Sequence, residues 1–130
     1  MLDLKPAETV SYVALRVIAG LAFSFHGMAK LFGVLAGGTT DDSQMWVGGV
    51  IELGGLLIAA GLLTRAAAFL ASGTMAVAYI QFHWKLDFGE KFFPIKNGGE
   101  LALIYCFLFL FITFRGAGPA SLDSVIFKKR

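Results

Sequence analysis

Five ionisable side chains lie within stretches of the sequence that are otherwise apolar: Arg16, His26, Lys30, Glu52 and Glu100. An ionisable group at membrane depth costs several kcal/mol unless another group partners it, so each is a functional-site candidate. Histidine titrates near neutral pH and can exchange a proton with a carboxylate. Arginine and lysine can donate hydrogen bonds to a carbonyl oxygen. Together these residue types predict a polar pocket that binds a small amphipathic molecule and exchanges protons with it.

The composition around these residues is typical of a membrane protein. Apolar residues make up 57% of the 130 residues and charged residues only 15%, whereas roughly a quarter of the residues of a soluble domain are charged. Lysine and arginine form no basic stripe, which argues against a nucleic-acid partner. The single cysteine, Cys106, excludes thiol–disulfide exchange within the chain and is expected to be a packing residue. We expect the lipid bilayer to be the main partner.

Four apolar stretches approach the roughly 20 residues that an α-helix needs to cross a bilayer. The predicted helices cover residues 10–32, 46–63, 65–84 and 98–115. Only Thr64 and Arg65 separate the second apolar stretch from the third, so these two helices must form a tight antiparallel hairpin. We therefore predict one domain over residues 1–130, an all-α, membrane-embedded four-helix bundle with up-down-up-down topology.

The distribution of lysine and arginine in the short loops predicts the orientation of the bundle. Six of these residues lie on one side: Lys5, Arg65, Arg115, Lys128, Lys129 and Arg130. Four lie on the other side: Lys30, Lys85, Lys91 and Lys96. The excess places both termini in the cytoplasm, in a multi-pass protein of the plasma membrane.

Helix geometry predicts that three of the ionisable residues lie at one depth. At 1.5 Å per residue from Arg65 and Arg115, Glu52 lies about 20 Å and Glu100 about 22 Å from the inner surface. On the same scale, His26 lies about 24 Å along the first helix. We expect His26, Glu52 and Glu100 to converge in the outer half of the bilayer and to act there in proton transfer.

The remaining candidates are predicted to bind the ligand. Arg16 and Lys30 share the interior-facing side of the first helix and would anchor a carbonyl oxygen. Gly48 and Gly55 share a helix face with Glu52, and small residues there let a neighbouring helix or a ligand approach closely. These residues predict a pocket suited to a quinone.

Other interpretations stay open at the level of sequence. The acidic and basic groups could form interhelical ion pairs that only fix the bundle, with no ligand. His26 and His83 could ligate a haem, but two histidines on different helices arise easily by chance, so we rank a haem below a quinone. No spacing motif points to a metal site.

Several separated motifs resemble one known family. The stretch LRVIAGLAFSFHGMAKLFG, with its arginine and its H-G-x-x-K ending, resembles the first helix of the DoxX family. The stretch GGVIELGGLLIAAGLLTRAAA is similar to that family's second helix and hairpin, and NGGELALI and GAGPASLD are similar to its fourth helix and tail. The resemblance covers roughly residues 10–123 and implies a four-helix membrane protein of bacteria or archaea.

For function, the resemblance implies an association with redox chemistry. Relatives include a membrane subunit associated with thiosulfate:quinone oxidoreductase, and others linked to quinone, catechol or oxidative-stress resistance. At the matching motifs, the resemblance marks Arg16, His26, Lys30, Glu52 and Glu100 as site positions. It carries over no reaction, because a fold does not imply a function.

We expect a redox-associated membrane protein that binds a quinone-like or small aromatic molecule, with a partner oxidoreductase subunit supplying the electrons. A second class of function is a non-catalytic subunit that docks a partner protein through residues 85–97, where three phenylalanines lie among charges. A third is a small transport or permeability factor, with the glycine-rich second helix supporting a homodimer. Whether the chain is itself an enzyme is open at this level.

Overall fold

The fold is given by a computed structural model, which describes residues 1–35, 39 and 41–127. Three residues of the predicted cytoplasmic side, Lys128, Lys129 and Arg130, lie outside this description. No strand occurs in the described ranges, and the predicted all-α class is confirmed. The helices are α1 (Lys5–Phe32), α2 (Ser43–Leu53), α3 (Gly55–Ala60), α4 (Thr64–Ala78), α5 (Pro94–Asn97), α6 (Glu100–Arg115) and α7 (Leu122–Ile126). A π-helix, Tyr79–Trp84, extends α4, and a 3₁₀ turn covers Glu90–Phe92.

Two helical stretches in the described ranges are long and apolar enough to cross a membrane. They are Lys5–Phe32 and Ser43–Ala60, and the second runs through α2 and α3. Gly54 interrupts this second stretch for a single residue. α1 begins at Lys5, earlier than predicted, because Pro6 fits the first turn of a helix, where no backbone N–H is needed.

α1 packs against α2 and α3 with the backbones in contact. A Cβ atom added at Gly55 would lie 2.3 Å from the carbonyl oxygen of Gly20, and one added at Gly27 would lie 2.5 Å from that of Gly49. Real Cβ atoms do not approach so closely, so glycine is required at these positions. We call these four residues the glycine seam. It fixes the register of α1 along α2 and α3.

α4 packs along α6, and aromatic side chains join this pair to α1. The Phe23 ring of α1 is fully buried, with its centroid 5.3 Å from that of Tyr105 and 4.8 Å from that of Phe109. Ser72 Oγ of α4 donates a 2.7 Å hydrogen bond to the carbonyl oxygen of Cys106 in α6. The Cys106 side chain is a free thiol that packs against this core. These contacts make one core from both helix pairs.

The segment that follows α6 folds back over one end of the helices. Arg16 of α1 is only 1% exposed. Its guanidinium donates hydrogen bonds to the carbonyl oxygens of Ala117 and Ala120 in this segment, and to that of Ala59 in α3. A buried charge is tolerated only when such partners replace water. The segment is therefore part of the folded core at this end.

Asp123 of α7 caps the N-terminus of α4 from far along the chain. Its carboxylate accepts hydrogen bonds from the amides of Leu63, at 2.8 Å, and Thr64, at 2.9 Å. Leu63 is the residue before α4, and its apolar side chain has no hydrogen-bond acceptor, so it cannot cap the helix itself. Burial raises the pKa of the Asp123 carboxyl, but these amides and the nearby Arg16 charge outweigh burial and hold the pKa below its ordinary value.

The last long helix begins later than predicted. Gly98, with φ of +75°, ends α5, so α6 begins at Glu100 rather than at the predicted residue 98. Glu100 lies in the first turn of α6 and is exposed. A carboxylate is favoured there by the positive end of the helix dipole. The expectation that Glu100 lies buried between helices is thus corrected.

We expect Gly55→Ala to lower the free energy of unfolding by about 1–3 kcal/mol, because the new methyl group must push α1 away from α3. Gly48→Ala is the matched control, since a Cβ added there meets nothing within 4 Å. It should raise the stability by about 0.5–1 kcal/mol, through the lower chain entropy of alanine. Thermal unfolding in detergent measures both. Equal effects of the two substitutions would contradict the glycine seam.

We expect Asp123→Asn to lower the free energy of unfolding by about 1 kcal/mol at pH 7, because one acceptor and the charge at the start of α4 are lost. A carboxyl with a lowered folded pKa stabilises fully above its unfolded pKa of about 4 and loses this effect as the pH falls through the folded pKa. The difference between wild type and variant should therefore shrink below about pH 4. Unfolding in detergent between pH 7 and pH 3 tests this, with exposed Asp41→Asn as the control. A difference that does not vary with pH would count against the cap.

Candidate functional site

A cavity of about 790 Å³ lies between the α1–α2 side of the protein and the α4–α6 side. Small-molecule sites have volumes of about 300–1,000 Å³. Most of the wall is apolar, and it includes Phe23, Ile51, Phe69, Leu70, Val77 and Phe82. A few polar side chains interrupt this apolar surface. Such a cavity suits a ligand that is largely apolar with a small number of polar atoms.

An ion pair between Lys30 and Glu52 forms the most polar part of the wall. Lys30 Nζ donates a hydrogen bond to Glu52 Oε1. The Glu52 residue is only 2% exposed, whereas the Lys30 side chain is 29% exposed. The glycine seam positions both groups, because a Cβ at Gly49 would lie 3.2 Å from Cβ of Lys30. The chemistry offered is one ammonium donor beside one carboxylate acceptor, in an apolar surrounding.

His26 and Tyr105 lie beside the ion pair on the cavity wall. His26 precedes Lys30 by one turn of α1 and is exposed. Its ring meets that of Tyr105 edge to face, with 6.3 Å between the centroids. Tyr105 is a buried α6 residue with a hydroxyl group that can both donate and accept. The sequence analysis did not identify Tyr105; its only signal is a hydroxyl in an otherwise apolar run.

The cavity wall also contains Gln44 of α2 and His83 of the π-helix. Gln44 Nε2 donates a hydrogen bond to Gln81 Oε1, which joins the start of α2 to the π-helix. His26 and His83 thus line one cavity, but the haem interpretation stays untested. Among the described residues, no group of three or more histidine, cysteine or acidic side chains is placed to hold a metal ion.

The structure brings together four of the residues predicted from sequence. His26, Lys30, Glu52 and Gly48 all line the cavity. Gly55 does not line it, because Gly55 faces the backbone of α1 in the glycine seam. Glycines on one helix face can therefore either pack against a neighbouring helix or line a cavity. Their spacing in the sequence does not distinguish these two roles.

Two further predicted residues lie away from the cavity. Glu100 begins α6 and is exposed, although Leu101 and Ala102 beside it are lining residues. Arg16 lies 14 residues before Lys30 on α1, about 21 Å along the helix axis, with its guanidinium bound to carbonyl oxygens of the segment after α6. Of the three residues predicted to converge, His26 and Glu52 line the cavity and Glu100 does not, while Lys30 lies beside Glu52.

Comparison with known proteins places the chain in a family. The family model DoxX matches residues 11–84, from α1 to the end of the π-helix. A Haemophilus influenzae protein named "Uncharacterized protein" is 46% identical over 121 residues, which cover 88% of this chain and 90% of that protein. No solved structure matches the chain. The matched residues include the seam, His26, Lys30 and Glu52. The chain therefore belongs to the DoxX family of membrane proteins.

Proposed function

We propose that this protein binds a quinone-like or small aromatic molecule in the cavity, as a redox-associated protein of the bacterial or archaeal plasma membrane. It spans the bilayer as a four-helix bundle with up-down-up-down topology and both termini in the cytoplasm. The observation that carries the proposal is the Lys30–Glu52 ion pair set in an apolar cavity. A partner oxidoreductase subunit supplies the electrons.

The membrane assignment draws on the outward surface of the helices. Large apolar side chains that are exposed to the surroundings occur along α1, α4 and α6: Ile18, Phe25, Phe69, Leu70, Ile104, Phe107 and Phe111. Hydrocarbon is the medium in which such a surface is stable. Arg65 and Arg115 lie at the end where the segment after α6 folds back, while Lys30 and Lys85 lie at the other. We place the cavity, which contains Lys30, in the outer half of the bilayer.

The polar groups of the wall match those of a quinone ring. The Lys30 ammonium can donate to a ring carbonyl oxygen, and the Glu52 carboxylate can accept from a ring hydroxyl of the reduced form. Hydrogen bonds to charged groups contribute about 1.5–3 kcal/mol each. The apolar wall, with Phe23 at its base, provides contact for the faces of the ring. His26 serves as the relay that carries protons between Glu52 and the surroundings.

A second candidate function is the docking of a partner protein on an aromatic surface outside the cavity. The rings of Trp84, Phe88, Phe92 and Phe93 follow one another in contact, with centroids 5.3 to 6.2 Å apart. Phe88, Phe92 and Phe93 are exposed. Aromatic residues are enriched in protein interfaces, and also where a membrane protein meets lipid headgroups. The observation therefore favours an interface of one of these two kinds.

We expect the double variant Lys30→Met with Glu52→Gln to bind a tail-free benzoquinone about 10- to 100-fold more weakly than wild type, because the ammonium that donates to a ring carbonyl oxygen is lost. Changing both residues leaves no unpaired charge in the cavity. Equilibrium binding to protein in lipid nanodiscs measures the loss. Lys91→Met, at an exposed lysine outside the cavity, is the control. Unchanged affinity in a folded double variant would refute the proposed site.

If the aromatic surface docks a protein, Phe88→Ser with Phe92→Ser should lose that partner in pull-downs from native membranes, because the buried apolar contact disappears. Benzoquinone affinity should stay within twofold of wild type, since neither residue lines the cavity. Capture of the same partners by wild type and variant would leave the surface as a lipid contact.

A further inference from the structure

We infer that the ligand enters the cavity sideways from the bilayer, between α2 and α4, and keeps an apolar tail in this cleft. The ligand class is then a lipid-tailed ring compound resident in the membrane, rather than a water-soluble aromatic. The inference rests on the proposed function and makes its ligand class more specific. Three features of the cavity carry it.

The first feature is the rim of the cavity. Its lining includes large apolar side chains that are themselves between 47% and 61% exposed. They belong to α2 and to α4 with its π-helical extension: Val47, Phe69, Leu70, Val77 and Phe82. In a membrane protein, such a rim faces hydrocarbon and not water. The opening is therefore suited to a molecule that arrives through the lipid.

The second feature is the separation of polar from apolar lining. Lys30 and His26 belong to α1, and Glu52, the partner of Lys30, belongs to the α2 face beside it. The α4 wall between Phe69 and Val77 has Thr74 as its one side chain with a hydrogen-bonding group. A ring with polar atoms at one end and an apolar chain at the other fits this arrangement. The volume of about 790 Å³ holds the ring and the first part of the chain.

The third feature is a pair of glycines that no packing requires. A Cβ atom added at Gly48 of α2 or Gly73 of α4 would meet nothing within 4 Å, and both residues line the cavity. In the glycine seam, by contrast, a Cβ atom added at Gly20, Gly27 or Gly55 would strike backbone atoms. Gly48 and Gly73 thus leave open space where α2 and α4 border the cavity. A second copy of the chain could also use such space, but the space continues inward to the Lys30–Glu52 pair, which a neighbouring helix surface would not reach.

The test compares two probes on wild type and on Gly73→Leu, in nanodiscs and with empty nanodiscs subtracted. The probes are a benzoquinone with a ten-carbon chain and the same ring without a chain. A Cβ atom at position 73 meets no neighbouring atom, so we expect the variant to fold normally. Its leucine side chain then fills the cleft. We expect at least about a tenfold loss for the tailed probe, because its chain is displaced, and less than a twofold change for the ring alone. Ala66→Leu, on the exposed face of α4 outside the cavity, should affect neither probe.

A second measurement locates the tail directly. A tailed probe that carries a diazirine at the chain end should label α2 and α4 near Val47 and Val77 on illumination, as mapped by mass spectrometry. Labelling elsewhere, an unchanged affinity of Gly73→Leu for the tailed probe, or equal losses for both probes would overturn the inference. So would a change in oligomeric mass of Gly73→Leu, which would assign the cleft to a second copy. If neither probe binds wild type, the proposed function itself fails, and the entry route fails with it.

Discussion

The contact between the backbone of α1 and those of α2 and α3 is the constraint on which the rest of the structure depends. Because no side chain separates Gly27 from Gly49, or Gly20 from Gly55, the helices meet at a fixed height and rotation. That register puts Lys30 against Glu52 and turns both toward the cavity. An ion pair with one member almost fully buried needs such accuracy, since a displaced partner leaves an uncompensated charge. The positions of the charged groups are thus set by glycines, which have no functional side chain of their own.

The two ends of the helices are built in opposite ways. At one end, the guanidinium of Arg16 is enclosed by carbonyl oxygens, and the segment after α6 closes the space around it. At the other end, α2 and α4 leave the cavity between them, with few contacts other than the Gln44–Gln81 hydrogen bond. The Arg16 charge therefore holds two segments of the chain together at the closed end, whereas Lys30 and Glu52 line the cavity at the open end. The same residue types have different roles because their surroundings differ.

The sequence predicts the all-α class and places His26 and Glu52 at a similar depth, because hydropathy and helix rise depend on local residues alone. It does not predict the place of Arg16, since the carbonyl groups that surround it come from about 100 residues further along the chain. Glu100 is misplaced for another reason: one glycine with positive φ, Gly98, decides where α6 starts, and that conformation has only a weak local signal. Tyr105 is missed because the side chain that faces the cavity is chosen by packing around Phe23.

The cap that Asp123 provides for α4 also has a consequence for how the protein is made in the cell. Leu63 and Thr64 are synthesised some 60 residues before their capping carboxylate. For most of that interval the closed end stays unfinished, because the carbonyl groups of Ala117 and Ala120 that bind the Arg16 guanidinium are not yet made. This end is therefore completed only after α1 to α6 have been synthesised. A chain that stops before residue 117 lacks both the carbonyl groups of Ala117 and Ala120 that bind Arg16 and the carboxylate that caps α4, which are features that membrane proteases and chaperones can distinguish from the finished protein.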